Sequence, residues 1–246
     1  MKIIIILPTY NEKENIENLV KDIFNVSDES KLNLNVVVVD DNSPDKTGKI
    51  VTKLIREKYG RRLSLIKRSG KLGLGTAYIA GFKFALEKSY DQAITMDADF
   101  SHNPKYLPAL IKKMQYCDIA IGSRYVQGGG TKNWCWSRKV ISRSANTLAH
   151  IMLGLKAGDC TAGFRCYKAE VLKVIELDTI FSNGYSFLME MLYRCQKAGF
   201  KTGEIPIIFE DRRVGISKIS RTEILKAFVT LSRFTVDRIK RAIKLG

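Results

Sequence analysis

The chain's 246 residues suffice for one sizeable α/β domain and leave little room for a second. A hydrophobic content of 45% excludes a disordered chain, and five cysteines without a Cys-x-x-Cys argue against a disulfide framework or a zinc site and for a reducing compartment. The net charge of +16 sits mostly in residues 131–246 and calls for an anionic partner: nucleic acid, an anionic membrane surface or a phosphorylated substrate.

Ile3–Leu7 is a short, β-branched apolar run, the pattern of a strand buried on both faces and too short for a signal peptide. Asn11 offers an N-cap for a helix over Glu14–Phe24, with Ile16, Leu19, Val20 and Ile23 on one face. Val36–Val39 is a second buried strand that delivers Asp40 and Asp41, and a turn over Asn42–Asp45 leads into a helix reaching Tyr59. Leu63–Lys67 is a third strand. The Gly70–Gly75 loop opens a helix over Thr76–Lys88. Ala93–Met96 is a fourth strand ending at Asp97, Tyr106–Gln115 is helical, and Ile119–Ile121 is a further strand. Four alternations with short loops predict a doubly wound, mostly parallel Rossmann-like sheet with flanking helices.

Beyond Tyr125 the pattern changes. Gln127–Gly130 reads as a flexible loop, Val140–Leu155 as an amphipathic helix with basic flanks, and Ile205–Phe209 as a strand. A basic amphipathic helix over Glu223–Leu245 closes the chain. Residues 1–220 therefore read as one domain and 221–246 as an appended helix. No run reaches the ~18 apolar residues of a membrane span, so membrane contact is expected to be peripheral.

Ligands of such sheets bind at the carboxyl ends of the strands. Tyr10, Glu12, Asp40, Asp41, Asp97 and Asp99 all fall there. The Asp97-Ala98-Asp99 segment places two hard oxygen ligands where the chain turns, suited to Mg²⁺ or Mn²⁺ with phosphate oxygens completing the shell. A carboxylate at Asp41 can accept hydrogen bonds from a base or ribose. Gly73-Leu-Gly75 matches neither a P-loop nor a dinucleotide fingerprint and is assigned helix entry or a close backbone contact. A nucleic-acid-binding module is the alternative that the charge raises; the acidic cluster would repel that partner, and no aromatic RNA-binding motif occurs.

Pro8-Thr-Tyr-Asn-Glu12, Val39-Asp-Asp-Asn-Ser-Pro-Asp45, Asp97-Ala-Asp-Phe-Ser-His102 and Gly122-Ser-Arg-Tyr125 occur in order. Arg138-Lys-Val-Ile-Ser142, Asp159-Cys-Thr-Ala-Gly-Phe-Arg165, Gly184-Tyr-Ser-Phe and Arg212-Arg-Val-Gly-Ile-Ser-Lys218 follow. Together they resemble the family 2 glycosyltransferases of the polyprenol (dolichol) phosphate mannosyl synthase type, over about residues 3–220. The resemblance implies a GT-A fold and an inverting transfer of mannose from GDP-mannose to a polyprenyl monophosphate, with another sugar, such as glucose from a UDP donor, as the alternative. It places Pro8, Tyr10, Glu12, Val39, Asp41, Asp97, Ala98 and Asp99 around the donor, with Arg212 and Lys218 on a loop reaching its phosphates. Asp97, Asp99 and Ser101, which stands where some relatives carry Gln, would face the metal. Arg124, Arg138 and Ser142 would bind the acceptor phosphate, and Asp99, Arg124 and Arg138 carry the catalytic expectation. The protein would work on the cytoplasmic face of a membrane, directly or through a membrane-anchoring partner protein.

Overall fold

A computed structural model describes residues 1–182 and 184–211. Arg212, Lys218 and the helix expected over Glu223–Leu245 lie outside the described residues. In chain order the elements are β1 (Ile3–Thr9), α1 (Ile16–Glu29), β2 (Leu34–Asp40), α2 (Thr47–Leu54), β3 (Leu63–Lys67), α3 (Leu74–Glu87) and β4 (Gln92–Thr95). There follow α4 (Leu107–Lys113), β5 (Ile119–Ser123), β6 (Gly130–Lys132), α5 (Trp136–Leu153), β7 (Arg165–Lys168), α6 (Ala169–Val174), α7 (Tyr185–Lys197), β8 (Thr202–Pro206) and β9 (Ile208–Glu210).

The main sheet runs β3-β2-β1-β4-β7-β5-β8, parallel except for β7, which is antiparallel to both its neighbours. The apolar strands are continuous rather than alternating because both faces are covered. Ile4, Ile6, Val37 and Val39 enter one core with Tyr78, Phe82 and Leu188. Ile3, Ile5, Leu7, Val36 and Val38 enter the other with Leu19, Ile23, Leu107 and Leu110. Each fully buried aliphatic side chain contributes about 1.5–3 kcal/mol, so β1 alone is a large part of the driving force. Gly81 on α3 permits close packing on that strand: a Cβ there would lie 2.4 Å from Ile6 Cγ2.

Several local expectations change. Asn11 has a left-handed φ of 63° and caps nothing; α1 starts at Ile16, and the Asn15 side chain donates to Glu12 at 2.8 Å. The helix after Asp45 turns into a π-helical segment at Ile55–Tyr59. Helix α5 begins at Trp136, four residues before the expected start, so Arg138 and Lys139 belong to it. The strand expected over Ile205–Phe209 is split: β8 ends at Pro206 in the main sheet, and β9 pairs in parallel with β6. The glycine run is therefore not all loop, since Gly130 is paired with Ile208. Gly73 and Gly75 do serve helix entry: Gly73 has φ 101° just before α3, and a Cβ on Gly75 would stand 2.9 Å from Phe187.

Candidate active site

The order of the sheet reverses between β1 and β4, the position at which open α/β sheets bind ligands. The tips of those strands bring Pro8 and Glu12 opposite Asp97, Ala98 and Asp99. A cavity of about 490 Å³ lies against them. Arg124, Trp134, Arg138, Ser142, His102 and Phe209 also line it, and Val140, Ile141, Ala145 and Leu148 of α5 with Leu188 and Met189 of α7 give it an apolar flank. Tyr10, Val39, Asp41 and Ser101 do not line this cavity.

Asp97 is the open carboxylate. Its side chain is 33% exposed, and its Oδ1 accepts from the buried Tyr78 hydroxyl at 3.1 Å. Burial, then the Asp97 charge, pushes the Tyr78 pKa well up, so the phenol stays a donor. His102 Nδ1 accepts from the Asp97 backbone N–H at 3.0 Å, which places the ring proton on Nε2. Burial lowers the His102 pKa against the pull of Asp97 and Asp99, so the ring is neutral near pH 7. Its ring packs on Phe164 and Phe209.

Asp99 is buried, and its Oδ1 accepts from both the backbone N–H and the hydroxyl of Ser101, at 3.1 and 2.6 Å. Ser101 is thus turned onto Asp99 as an orienting donor rather than into the cavity. Among the described residues no cluster of three or more His, Cys, Asp or Glu could hold a metal ion alone. The two carboxylates fit a Mg²⁺- or Mn²⁺-type site that borrows its remaining ligands from substrate phosphates.

Asp40 and Asp41 divide their work. Asp40 is spent on the turn, accepting from the hydroxyls of Ser43 and Thr9. Asp41 is held bidentately by Arg68, with Nε–Oδ1 at 2.5 Å and Nη2–Oδ2 at 2.7 Å, and Arg68 also donates to Thr76. The motif reading missed Arg68. The register could have shown it, because Asp40 pairs with Lys67 and the next residues on each strand are Asp41 and Arg68.

Arg124 is fixed just as firmly. Its Nε and Nη2 meet the two oxygens of Asp159 at 2.7 and 2.6 Å, and Nη2 also donates to Thr161 at 2.7 Å. Burial opposes charge on Asp159, yet Arg124 beside it, with help from Arg165, holds its pKa below the usual range. Glu204 anchors the other side of this turn by accepting from the N–H groups of Gly158 and Asp159. Arg138 donates Nη1 to Asp211 at 2.7 Å. Tyr125 donates its hydroxyl to Ser142 at 2.7 Å. Arg124, Arg138 and Ser142 line the same cavity as the acidic strand tip. Glu190, on α7, is fully buried and paired with Arg194.

A mostly parallel sheet with an Asp-x-Asp at its switch point defines a GT-A glycosyltransferase fold. The chain belongs to glycosyl transferase family 2, whose model matches residues 4–175. It is 39% identical over 241 residues to the polyprenol monophosphomannose synthase of Mycolicibacterium smegmatis, covering 97% of this chain and 89% of the relative. It is 42% identical over 234 residues to the undecaprenyl-phosphate mannosyltransferase of Micrococcus luteus, covering 95% and 94%. Among solved structures, glucosyl-3-phosphoglycerate synthase from Mycobacterium tuberculosis, in complex with Mn²⁺, uridine diphosphate and glucosyl-3-phosphoglycerate, superposes with a TM-score of 0.67. That match spans 95% of this chain and 80% of the neighbour at 17% identity, a likeness of fold.

Proposed function

We propose that the chain transfers mannose from GDP-mannose to a polyprenyl monophosphate. The observation that carries this is one cavity joining three chemistries: an acidic strand tip, an arginine wall and an apolar flank. The names of the two bacterial relatives support the lipid phosphate and the mannose.

Pro8, Tyr10, Glu12, Val39, Asp41 and Ala98 would bind the donor, with Arg68 fixing the Asp41 carboxylate. Asp97 and Asp99 would hold Mg²⁺ or Mn²⁺, which neutralises charge gathering on the departing diphosphate, while Ser101 orients Asp99. Arg124, Arg138 and Ser142 would seat the acceptor phosphate. A phosphomonoester has its second pKa near 6, so the acceptor is largely dianionic at neutral pH and needs orientation rather than a strong base. Its oxygen attacks the sugar C1 as the bond from C1 to the diphosphate oxygen breaks, and the anomeric centre inverts. Arg212 and Lys218, outside the described residues, are assigned to the donor phosphates.

Among the described residues no helix is long and apolar enough to cross a membrane. Helix α5 instead exposes Trp136 at 79% and Ile151 at 71%, beside Arg138, Lys139 and Arg143, the composition of a peripheral interfacial helix. A polyprenyl tail could pass from such a surface along the apolar flank to the arginines.

A donor panel tests the sugar and the base. With polyprenyl phosphate and Mg²⁺ or Mn²⁺, radiolabelled GDP-mannose should give lipid-extractable label. UDP-glucose and UDP-N-acetylglucosamine should give little. Label from a UDP-sugar and none from GDP-mannose would overturn the assignment.

A further inference from the structure

The arginine wall contains a side chain that no motif singled out. Trp134 lies between β6 and α5, lines the cavity and is 8% exposed. Its indole Nε1 is buried without a hydrogen-bond partner, and so is Nε of Arg138. Buried indole N–H groups ordinarily find an acceptor, and leaving one unmade costs stability. A third such nitrogen, Nε of Arg165, belongs to a residue that does not line the cavity. Two unpartnered donors thus stand on neighbouring residues of one cavity wall.

The ring of Trp134 joins them physically. The guanidinium carbon of Arg138 stands 4.2 Å from its centroid and that of Arg124 stands 5.3 Å away. Phe209 closes the seat from the edge, 5.4 Å away at 77°. Both unpartnered groups are donors only, beside two positive charges. That set suits an oxygen that only accepts, as in a phosphate dianion, better than a sugar hydroxyl, which must also donate.

We propose that Trp134 is a further binding residue for the acceptor phosphate. A small turn of the side chain brings its indole N–H, covered in this structure, to a phosphate oxygen, and its ring face seats Arg124 and Arg138. The inference rests on the lipid-phosphate reading above and adds a residue to it.

Trp134→Phe keeps a ring and removes the N–H. At saturating donor, its KM for polyprenyl phosphate should rise about tenfold, the usual weight of a hydrogen bond to a charged group, while the donor KM stays unchanged. Trp134→Leu, which also removes the platform, should lower kcat as well. An acceptor KM within twofold of wild type in Trp134→Phe, or an equal rise in donor KM, overturns the proposal.

A second measurement leaves Trp134 in place. The chain has two tryptophans, so Trp136→Phe makes Trp134 the sole indole emitter. Its emission should respond saturably to farnesyl phosphate and not to farnesol. No response, or an equal response to both, overturns the proposal. A response to farnesyl phosphate in a protein that transfers no sugar to any lipid phosphate would refute the transfer reading and leave the phosphate contact standing.

Discussion

Asp99→Ala should lose transfer by about 10³-fold or more and keep its fold, because on the proposed mechanism the side chain acts on charge at the site rather than on packing. Asp99 accepts from the Ser101 backbone N–H and hydroxyl at the tip of β4. The β4 residues themselves are bound into the sheet by β1 and β7 and do not depend on it. On the proposed mechanism, losing one of two carboxylates would leave Asp97 alone to hold a divalent ion against a diphosphate. Circular dichroism and the thermal midpoint should match wild type, while the turnover rate collapses. Full activity of this variant in EDTA would sink the metal mechanism.

The second large effect falls on a residue with no place in the reaction. Asp159→Asn should both unfold more easily and lose activity. Asp159 is fully buried and meets Arg124 through both carboxylate oxygens. Breaking one side of a buried pair strands the other charge and costs about 3–5 kcal/mol. For a chain of this size that is a fall of about 10 °C in Tm. Arg124, released from its seat, would no longer present a fixed guanidinium to the proposed acceptor phosphate. Removing both charges, as in Arg124→Met with Asp159→Asn, whose amide oxygen still accepts from the backbone N–H of residue 124, should restore most of the stability and none of the activity. The two readouts separate a structural role from a positioning role. The native pair also carries a pH signature. The folded pKa of Asp159 is depressed, so its stabilisation is present above the ordinary carboxylate range and is lost as pH falls below it. Wild-type stability and turnover in Asp159→Asn would contradict this account of Arg124.

The strand tips were legible because the physics that makes them is local. Apolar β-branched runs at Ile3–Leu7 and Val36–Val39 can only be buried strands, and the polar residues that follow must lie at their ends. The run Leu63–Lys67 is β3 from end to end. What stayed hidden depends on partners distant in sequence. Strand β7 is short and begins with Arg165, a charged residue that reads as surface. In the fold it is fully buried, because its guanidinium donates to the carbonyl oxygens of Leu188 and Cys160. Gly130 looks like loop until Ile208 pairs with it across a long stretch of chain. Position in a motif points Ser101 toward a metal, and only the turn geometry aims its hydroxyl at Asp99. Arg68, Asp159 and Trp134 share this character. Each acts on a residue already singled out, from an element that spacing alone does not bring near.

The proposed reaction requires that this cavity deliver a lipid phosphate to a mannosyl donor. Its most direct test gives the enzyme labelled GDP-mannose and Mg²⁺ with polyprenyl phosphate in one reaction and 3-phosphoglycerate in another. The account predicts label that extracts into organic solvent with polyprenyl phosphate, disappears with EDTA and does not form on phosphoglycerate. Label transferred to phosphoglycerate, with the organic phase blank in the lipid reaction, would contradict it.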